Sequence, residues 1–242
     1  MSIVISPKQL VAHRGHRECF PENSMLAILD AIAAGAKHIE FDIQITKEGI
    51  PILYHDDDMQ RISGIHQSIL NLTIEQFPQY AVSEPERLGE AFFHNPLEML
   101  SDLFPIIEKH QNIQFFMEVK EDSLQALGQA FYFDALKFHL PRITDNLILI
   151  SFNAEVVKLA REYGFLKTGL VFRDWENRNQ LLKEAAADYG FINYKRIPEQ
   201  DKIKADKPLI VYEVCDSVLA QQLLNRGATA VETFCIRKLL NV

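Results

Sequence analysis

Two histidines of this sequence lie where apolar segments end. His13 and Arg14 follow the apolar residues 10–12, and His55 lies near the end of the segment PILYHD (51–56). Histidine suits general acid–base catalysis near neutral pH, because its unperturbed pKa is close to neutrality. A solvated strand end, where any polar residue is tolerated, is the competing interpretation.

Three carboxylates form a second group. Glu40 and Asp42 alternate with apolar residues in HIEFDIQI (38–45), so both lie on one face of a predicted strand, and Glu118 has the same setting in QFFMEV (114–119). A half-exposed antiparallel strand would also alternate in this way. In a parallel barrel both faces are covered, and buried carboxylates are costly unless they are paired or bind a metal. The three carboxylates therefore suit a hard divalent cation with oxygen ligands.

Two cationic side chains follow the same predicted strands. Arg14 comes after the first strand and Lys120 after QFFMEV. Both donate charge-assisted hydrogen bonds to oxygen, which indicates an anionic, oxygen-rich ligand such as phosphate. Cys19 lies in the loop near Arg14, but no basic partner is specified for it, so we interpret it as an ordinary loop residue. The remaining histidines have no evident chemical neighbours, although His16 is near the site by position.

Alternating strand and helix patterns must position these side chains. The eight predicted strands cover residues 10–14, 38–45, 114–119, 146–152, 167–172, 191–196, 208–214 and 229–234. Helical spacing over 24–34, 155–163 and 217–226 stops at a glycine each time. Eight such units in about 250 residues predict a TIM (β/α)₈ barrel, whose chemistry lies at the carboxyl ends of the strands. An open doubly wound sheet is less favoured because no glycine-rich phosphate loop follows the first strand.

The chain reads as one TIM-barrel domain over residues 1–242 with a small insertion after the second strand. KEG (47–49) predicts a tight turn into PILYHD, which would form a short hairpin. Residues 57–95 lack clear periodicity and contain proline, glycine, serine and asparagine, so we expect an insertion above the barrel.

Composition limits the possible partners. The 242 residues are 48% hydrophobic and 24% charged, with a net charge of −8, which is globular and a poor match for nucleic acid or an anionic membrane. No apolar run is long enough to predict an integral membrane segment. The amino terminus has no evident signal peptide. Three separated cysteines predict reduced thiols and a cytoplasmic location.

Five motifs in order resemble a known family. They are HRG (13–15), PENS (21–24), EFD (40–42), HDD (55–57) and MEVK (117–120). In this order and with similar gaps they resemble the glycerophosphodiester phosphodiesterase family, and the agreement covers most of the chain. The resemblance implies a TIM-barrel enzyme of lipid and glycerol metabolism. It would hydrolyse glycerophosphodiesters, its small-molecule substrates, to glycerol 3-phosphate and an alcohol such as choline or ethanolamine.

The resemblance also implies a role for each matching residue. Glu40, Asp42 and Glu118 would hold a divalent metal, either Mg²⁺ or Ca²⁺. The metal would stabilise charge on the phosphoryl oxygens.

The other matching residues would bind and cleave the diester. His13 and His55 would be the general acid and base, and Arg14 and Lys120 would hold phosphate oxygens. Glu22 belongs to the PENT-like motif, here with serine in the threonine position. We expect it to order the loop rather than to take part in chemistry.

The carboxyl-terminal end departs from the family pattern. Tyr212, Glu213 and Val214 stand where Trp-Thr-Val is frequent, and Thr233 and Phe234 stand where Thr-Asp is frequent. These departures leave the implied catalytic set intact and suggest an altered head-group preference.

Two alternatives remain at this stage. One is a sphingomyelinase-like phospholipase of the same barrel type. The absence of an evident signal peptide and of paired cysteines argues against it. The other is a non-catalytic barrel that binds phosphate or metal, which loss of a histidine or metal carboxylate would favour. None of these residues is lost here.

Overall fold

Parallel strands close into a barrel in the computed structural model, which describes residues 4–242. The strands are β1 (Leu10–His13), β2 (His38–Ile45), β3 (Pro51–Leu53), β4 (Gln114–Val119), β5 (Leu147–Ser151), β6 (Thr168–Phe172), β7 (Tyr189–Asn193), β8 (Leu209–Tyr212) and β9 (Ala230–Thr233). All except β3 are parallel, and β1 pairs with both β2 and β9. The closed eight-strand barrel confirms the predicted fold class.

Helices connect the strands. Within the described residues they are α1 (Met25–Ala33), α2 (Gln60–Ser63), α3 (Pro85–Leu88), α4 (Leu100–Lys109), α5 (Glu121–Leu127), α6 (Gln129–His139), α7 (Ala154–Glu162), α8 (Arg178–Glu184), α9 (Ser217–Arg226) and α10 (Ile236–Leu240). The Ser24 hydroxyl accepts a hydrogen bond from the Ala27 amide and caps α1. Gly227 ends α9 in the left-handed conformation, as predicted.

The predicted hairpin forms after the second strand. β3 pairs antiparallel with β2, with Ile43 opposite Leu53. The following segment, 57–95, contains α2, α3 and short 3₁₀ helices rather than structureless loop. It covers a separate apolar cluster that includes Tyr54, Met59 and Phe77. This cluster gives the insertion its own small core beside the barrel.

Strand alternation divides apolar from polar side chains. Ile39, Phe41 and Ile43 of β2 belong to the large core between strands and helices. Glu40 and Asp42 alternate with them, and both are buried. The inward residues of several other strands form a second apolar cluster inside the barrel: Val11, Phe116, Ile148, Ile150, Val171, Phe191, Ile210 and Ala230.

Two local expectations were wrong. The strand predicted at 191–196 ends at Asn193, because the Asn193 side chain accepts a hydrogen bond from the Lys195 amide and starts a 3₁₀ turn. The cysteines were expected to be reduced, but Cys215 and Cys235 form a disulfide. β8 and β9 are paired neighbours, so the loops that follow them bring the two α-carbons to 5.3 Å. Cys19 is free and exposed.

A membrane-spanning helix was not expected from the sequence. None of the helices within residues 4–242 combines the length and apolar character that crossing a bilayer requires.

Candidate active site

The predicted site residues meet at the carboxyl ends of the barrel strands. A cavity with a volume of 120 Å³ opens there, lined by His13, Arg14, His55, Glu118, Lys120, Ile150, Phe152, Val171, Phe191, Tyr212, Glu213 and Glu232. Five of the seven residues chosen from the sequence are in this lining. The other two, Glu40 and Asp42, lie beside Glu118.

Strand register brings the three carboxylates together. Asp42 on β2 lies opposite Glu118 on β4, and Glu40 is two residues earlier on β2. One oxygen from each of the three lies within 4.8 Å of the others. Glu40 Oε1 and Asp42 Oδ1 are buried and make no hydrogen bond. Such buried carboxylate oxygens are costly unless something binds them, so this donor set fits a divalent cation.

Electrostatics separates these carboxylates into two types. Burial and the repulsion of Asp42 raise the pKa of Glu40 well above its usual value, and burial also raises the pKa of Glu118. Burial acts in the same sense on Asp42, but Lys120 and then Arg14 overcome it and lower the pKa of Asp42. A divalent cation at this position would offset the mutual repulsion of the three groups.

Arg14 is held inside the site, not at a solvated strand end. Its backbone has φ 55°, and its amide donates to Glu40 Oε2 at 3.0 Å. Its Nη1 donates to Glu22 Oε1 at 2.8 Å, and its Nε is 3.0 Å from Asp42 Oδ2 without the alignment of a hydrogen bond. Gly15 follows with φ 75°, and a β-carbon there would lie 2.6 Å from the Ala27 backbone, so the turn requires glycine.

Glu22 orders the loop, as expected. Its buried carboxylate pairs with Arg14, Arg17 and Arg61, and Arg61 comes from the insertion. Burial alone would raise the pKa of Glu22, but the hydrogen bonds from Arg61 and the charge of Arg14 outweigh it and lower the pKa to about 2. The next residue, Asn23, donates to Asp42 Oδ2 at 2.9 Å. The PENS segment thus fixes both an arginine and a carboxylate of the candidate metal cluster.

His13 is enclosed on several sides. Its Nε2 is 3.6 Å from Glu40 Oε2, and its Nδ1 is 3.7 Å from Glu213 Oε1. The Phe234 ring stacks on the imidazole with centroids 4.6 Å apart and planes 8° apart. Burial, followed by the charge of Arg14, lowers the pKa of His13 well below its usual value. A neutral imidazole in this position can accept a proton.

His55 has a different environment. Its side chain is about one-third exposed, and its Nδ1 is 2.5 Å from Asp56 Oδ1. Asp56 is in turn fixed by Arg61, whose Nε donates to Oδ2 at 2.7 Å. A carboxylate that orients a histidine is a recurrent element of acid–base sites. Sequence reasoning assigned no role to Asp56 or Arg61, although Asp56 lies inside the HDD motif.

Lys120 approaches from β4. Its Nζ donates to Glu118 Oε1 at 2.8 Å and lies 3.5 Å from Asp42 Oδ1. Burial would lower the pKa of Lys120, but Asp42 and Glu118 raise it above its usual value, so the side chain stays charged. The structure thus brings Arg14 and Lys120 to the same carboxylate, Asp42.

Four residues of the cavity region were missed as site residues. Tyr212 ends β8, Glu213 follows it, Glu232 lies on β9, and Phe234 covers His13. Glu232 is 3% exposed, its Oε1 has no hydrogen-bond partner, and one of its oxygens lies within 4.8 Å of His13 and Glu40 ligand atoms. Burial and the charge of Glu118 raise its pKa well above its usual value. The available signal was weaker than for Glu40: a carboxylate within the predicted strand 229–234, between Val231 and Thr233.

His16, near the site by sequence position, has another contact. Its side chain is buried, and its Nδ1 is 2.7 Å from Asp30 Oδ2. Asp30 also accepts from Arg237 Nε at 2.8 Å. These contacts fasten the loop after β1 to α10, and His16 is outside the cavity lining.

Comparison with known proteins gives consistent matches. Residues 13–214 match the glycerophosphoryl diester phosphodiesterase family. Glycerophosphodiester phosphodiesterase 1 of Bos taurus is 31% identical over 179 residues, covering 71% of this chain and 52% of the relative. A mouse (Mus musculus) lysophospholipase D is 30% identical over 118 residues, covering 48% of this chain and 36% of the relative. The chain thus spans about half or less of these relatives' length.

Solved structures share the fold. A phosphodiesterase of Oleispira antarctica, solved in complex with its product sn-glycerol-3-phosphate, superposes with a TM-score of 0.80. The alignment covers 96% of this chain and 95% of that one at 22% sequence identity.

Proposed function

The chain belongs to the glycerophosphoryl diester phosphodiesterase family, and on that premise we propose that it hydrolyses glycerophosphodiesters to glycerol 3-phosphate and an alcohol. One observation carries the proposal: two histidines, two largely buried cations and three clustered carboxylates meet around one cavity. Such a set can bind a phosphodiester and move protons to and from its ester oxygens.

Arg14 and Lys120 would bind the non-bridging phosphate oxygens. Both are held near Asp42, which fixes their position before substrate arrives. Fixed cations in a largely buried site stabilise developing negative charge more strongly than cations in water, because they need no reorganisation during the reaction.

Glu40, Asp42 and Glu118 would hold one divalent cation, Mg²⁺ or Ca²⁺, since both take oxygen ligands. When bound, the cation supplies Lewis-acid stabilisation of charge on the phosphoryl oxygens.

His13 and His55 would share the proton transfers. The burial of His13 favours its neutral form, which suits a base that removes a proton from the attacking oxygen. Asp56 orients the His55 ring through Nδ1, and we assign to His55 the proton that the departing alcohol receives. The division of roles between the two rings is our proposal.

An activity screen tests this function. The purified protein is assayed against several glycerophosphodiesters with added Mg²⁺, with added Ca²⁺ and with EDTA. We expect release of glycerol 3-phosphate with metal and its loss with EDTA. Binding of diester without turnover under any metal condition would instead support the non-catalytic barrel.

A cytoplasmic location stays a prediction, and the Cys215–Cys235 disulfide counts against it because stable disulfides are typical of oxidising compartments. Thiol trapping in intact producing cells tests it. Reduced Cys215 and Cys235 would support the cytoplasm, and a bonded pair would contradict it.

A further inference from the structure

Two carboxylates in the cavity have no role in the proposed mechanism. Glu213 and Glu232 lie on the β8–β9 side of the lining. Glu232 is 97% removed from solvent, and its Oε1 makes no hydrogen bond. A buried carboxylate oxygen without a partner is costly, and this one belongs to the wall of an open cavity. It therefore has an acceptor position free for a ligand.

The cationic groups of the site leave none for Glu232 when its carboxyl is ionised. With a metal bound, Glu40, Asp42 and Glu118 would carry three negative charges, and the phosphodiester would bring a fourth. Arg14, Lys120 and a divalent cation would balance these four charges.

The β8–β9 side lacks such a balance. Among the described residues, no lysine or arginine lies within ion-pair distance of Glu232, and the partner of Glu213 is His13, 3.7 Å away. A neutral or anionic alcohol group would leave the charge of this side unbalanced. A cationic one would compensate it.

Aromatic and apolar side chains continue the cavity lining from β8 round to β5. Tyr212 on β8 and Phe191 on β7 are followed by Val171 on β6 and Ile150 on β5. Alkylammonium groups bind best where carboxylates and aromatic rings surround them, because the cation is weakly hydrated and is attracted to the ring faces. A compact metal ion would gain little from such rings.

We propose that Glu232, with Glu213, selects glycerophosphodiesters whose alcohol carries a positively charged ammonium group. The inference rests on the proposed function, since it assigns the leaving alcohol to the β8–β9 side of the same cavity. In this proposal Glu232 acts in specificity and the metal is held by Glu40, Asp42 and Glu118, although a Glu232 oxygen also lies within 4.8 Å of Glu40 and His13 ligand atoms.

The test compares two diesters of the same shape and different charge. One is sn-glycero-3-phosphocholine, and the other is its carbon isostere, the glycerophosphodiester of 3,3-dimethylbutan-1-ol. We expect kcat/KM of the parent protein to favour the cationic diester by roughly tenfold or more, from one charge pair in a partly buried site. In Glu232→Gln we expect this preference to fall to about twofold or less.

Two controls separate charge from folding and from metal binding. Glu162→Gln removes the same charge at the exposed end of α7 and should keep the parent's preference. Calorimetric Mg²⁺ affinity of Glu232→Gln should match the parent within about threefold.

Four results would contradict the inference. Equal hydrolysis of the two diesters by the parent overturns it, even if Glu232→Gln does not fold. A Glu232→Gln protein with the parent's preference also overturns it. Large loss of Mg²⁺ affinity would make Glu232 a metal ligand instead. Hydrolysis of neither diester by the metal-loaded parent overturns the proposed function itself, which is a distinguishable failure.

Discussion

The two sides of the cavity differ in how their charges are satisfied. On the β1–β2 side, Arg14 is paired with Glu22 and Asp42. On the β8–β9 side, Glu232 has an oxygen without a hydrogen bond, and the ion-pair partner of Glu213 within residues 4–242 is a histidine, His13. The first side is the paired side, because Glu22 and Asp42 already have cationic partners, and its two carboxylate oxygens without a hydrogen bond, Glu40 Oε1 and Asp42 Oδ1, belong to the candidate metal cluster. The second side has charges that a ligand must satisfy.

This difference indicates that the two sides have different roles in the proposed reaction. A reacting phosphodiester is common to all substrates of the proposed reaction, so the groups that hold it can be fixed in advance. The alcohol varies, and the residues that face it must provide selectivity. The departures from the family pattern, at Tyr212, Glu213 and Phe234, fall on the second side.

The largest expected effect is the loss of turnover on substitution of the two histidines, because both would transfer protons in the reaction. His13→Ala and His55→Ala should each lower kcat by roughly 10²–10⁴-fold, as loss of a general acid or base does. His110→Ala, at the carboxyl-terminal cap of α4, is the control and should change kcat little. Near-parent turnover of a folded His13→Ala or His55→Ala protein would remove that histidine from the mechanism.

Glu22→Gln tests the paired side through stability. The folded pKa of Glu22 is about 2 against an ordinary value of 4.5, so ionised Glu22 stabilises the fold by roughly 3 kcal/mol at neutral pH. Because the folded pKa is depressed, this contribution is present above pH 4.5 and is lost as the pH falls toward 2. In urea unfolding at pH 7, the free energy of unfolding of the parent should exceed that of Glu22→Gln, and the difference should be smaller at pH 3. A difference independent of pH would contradict this prediction.

The Cys215–Cys235 disulfide provides a stability test on the β8–β9 side. Cys215 and Cys235 close a 20-residue separation between the loops after β8 and β9. Cys215→Ser/Cys235→Ser should lower the free energy of unfolding by about 3 kcal/mol, since the bond restricts the unfolded chain. Thermal unfolding with and without reductant measures it, with Cys19→Ser as control. The idea fails if reductant leaves the parent's melting temperature unchanged.

Arg14 sharpens the comparison. The paired side should require the planar geometry of the Arg14 guanidinium as well as its charge. Arg14→Lys keeps the charge but loses the planar fork, so kcat/KM should fall by roughly 10–100-fold, and Arg14→Ala should fall at least as far. Arg142→Lys, an exposed pair with Glu108, is the matched control. Parent-like kinetics in both Arg14 variants would mean that HRG is only a strand end.

Much of this comparison could be predicted from the sequence, and the reason is periodicity. Glu40 and Asp42 alternate with apolar residues, which placed them on one strand face, and helix ends at Gly35 and Gly227 fixed the repeat. Strand neighbours in the barrel then determined that Glu118 would join them.

What escaped prediction depends on contacts between distant segments. The disulfide needs the loops after β8 and β9 to be neighbours, and Arg61 reaches Glu22 from an insertion without periodicity. Phe234 could be recognised as a cover for His13 only once β1 and β9 were paired. Glu232 was visible as a carboxylate within a predicted strand, but its depth in the barrel, which gives it meaning, was not.

The smallest effect is expected at Phe234, where the two sides meet. Its ring stacks on His13. The guanidinium of Arg17, a residue of the paired side, lies 4.4 Å from the centroid of the Phe234 ring. Stacked aromatic pairs contribute roughly 0.5–1.5 kcal/mol beyond their buried area, so Phe234→Leu should lower kcat/KM by about 2- to 10-fold while the protein stays folded. Phe138→Leu, at an 85% exposed position, is the control and should leave kcat/KM unchanged. A Phe234→Leu protein with the parent's kcat/KM would mean that His13 is positioned by its polar neighbours alone. The aromatic cover would then belong with the alcohol-binding side rather than with the reactive one.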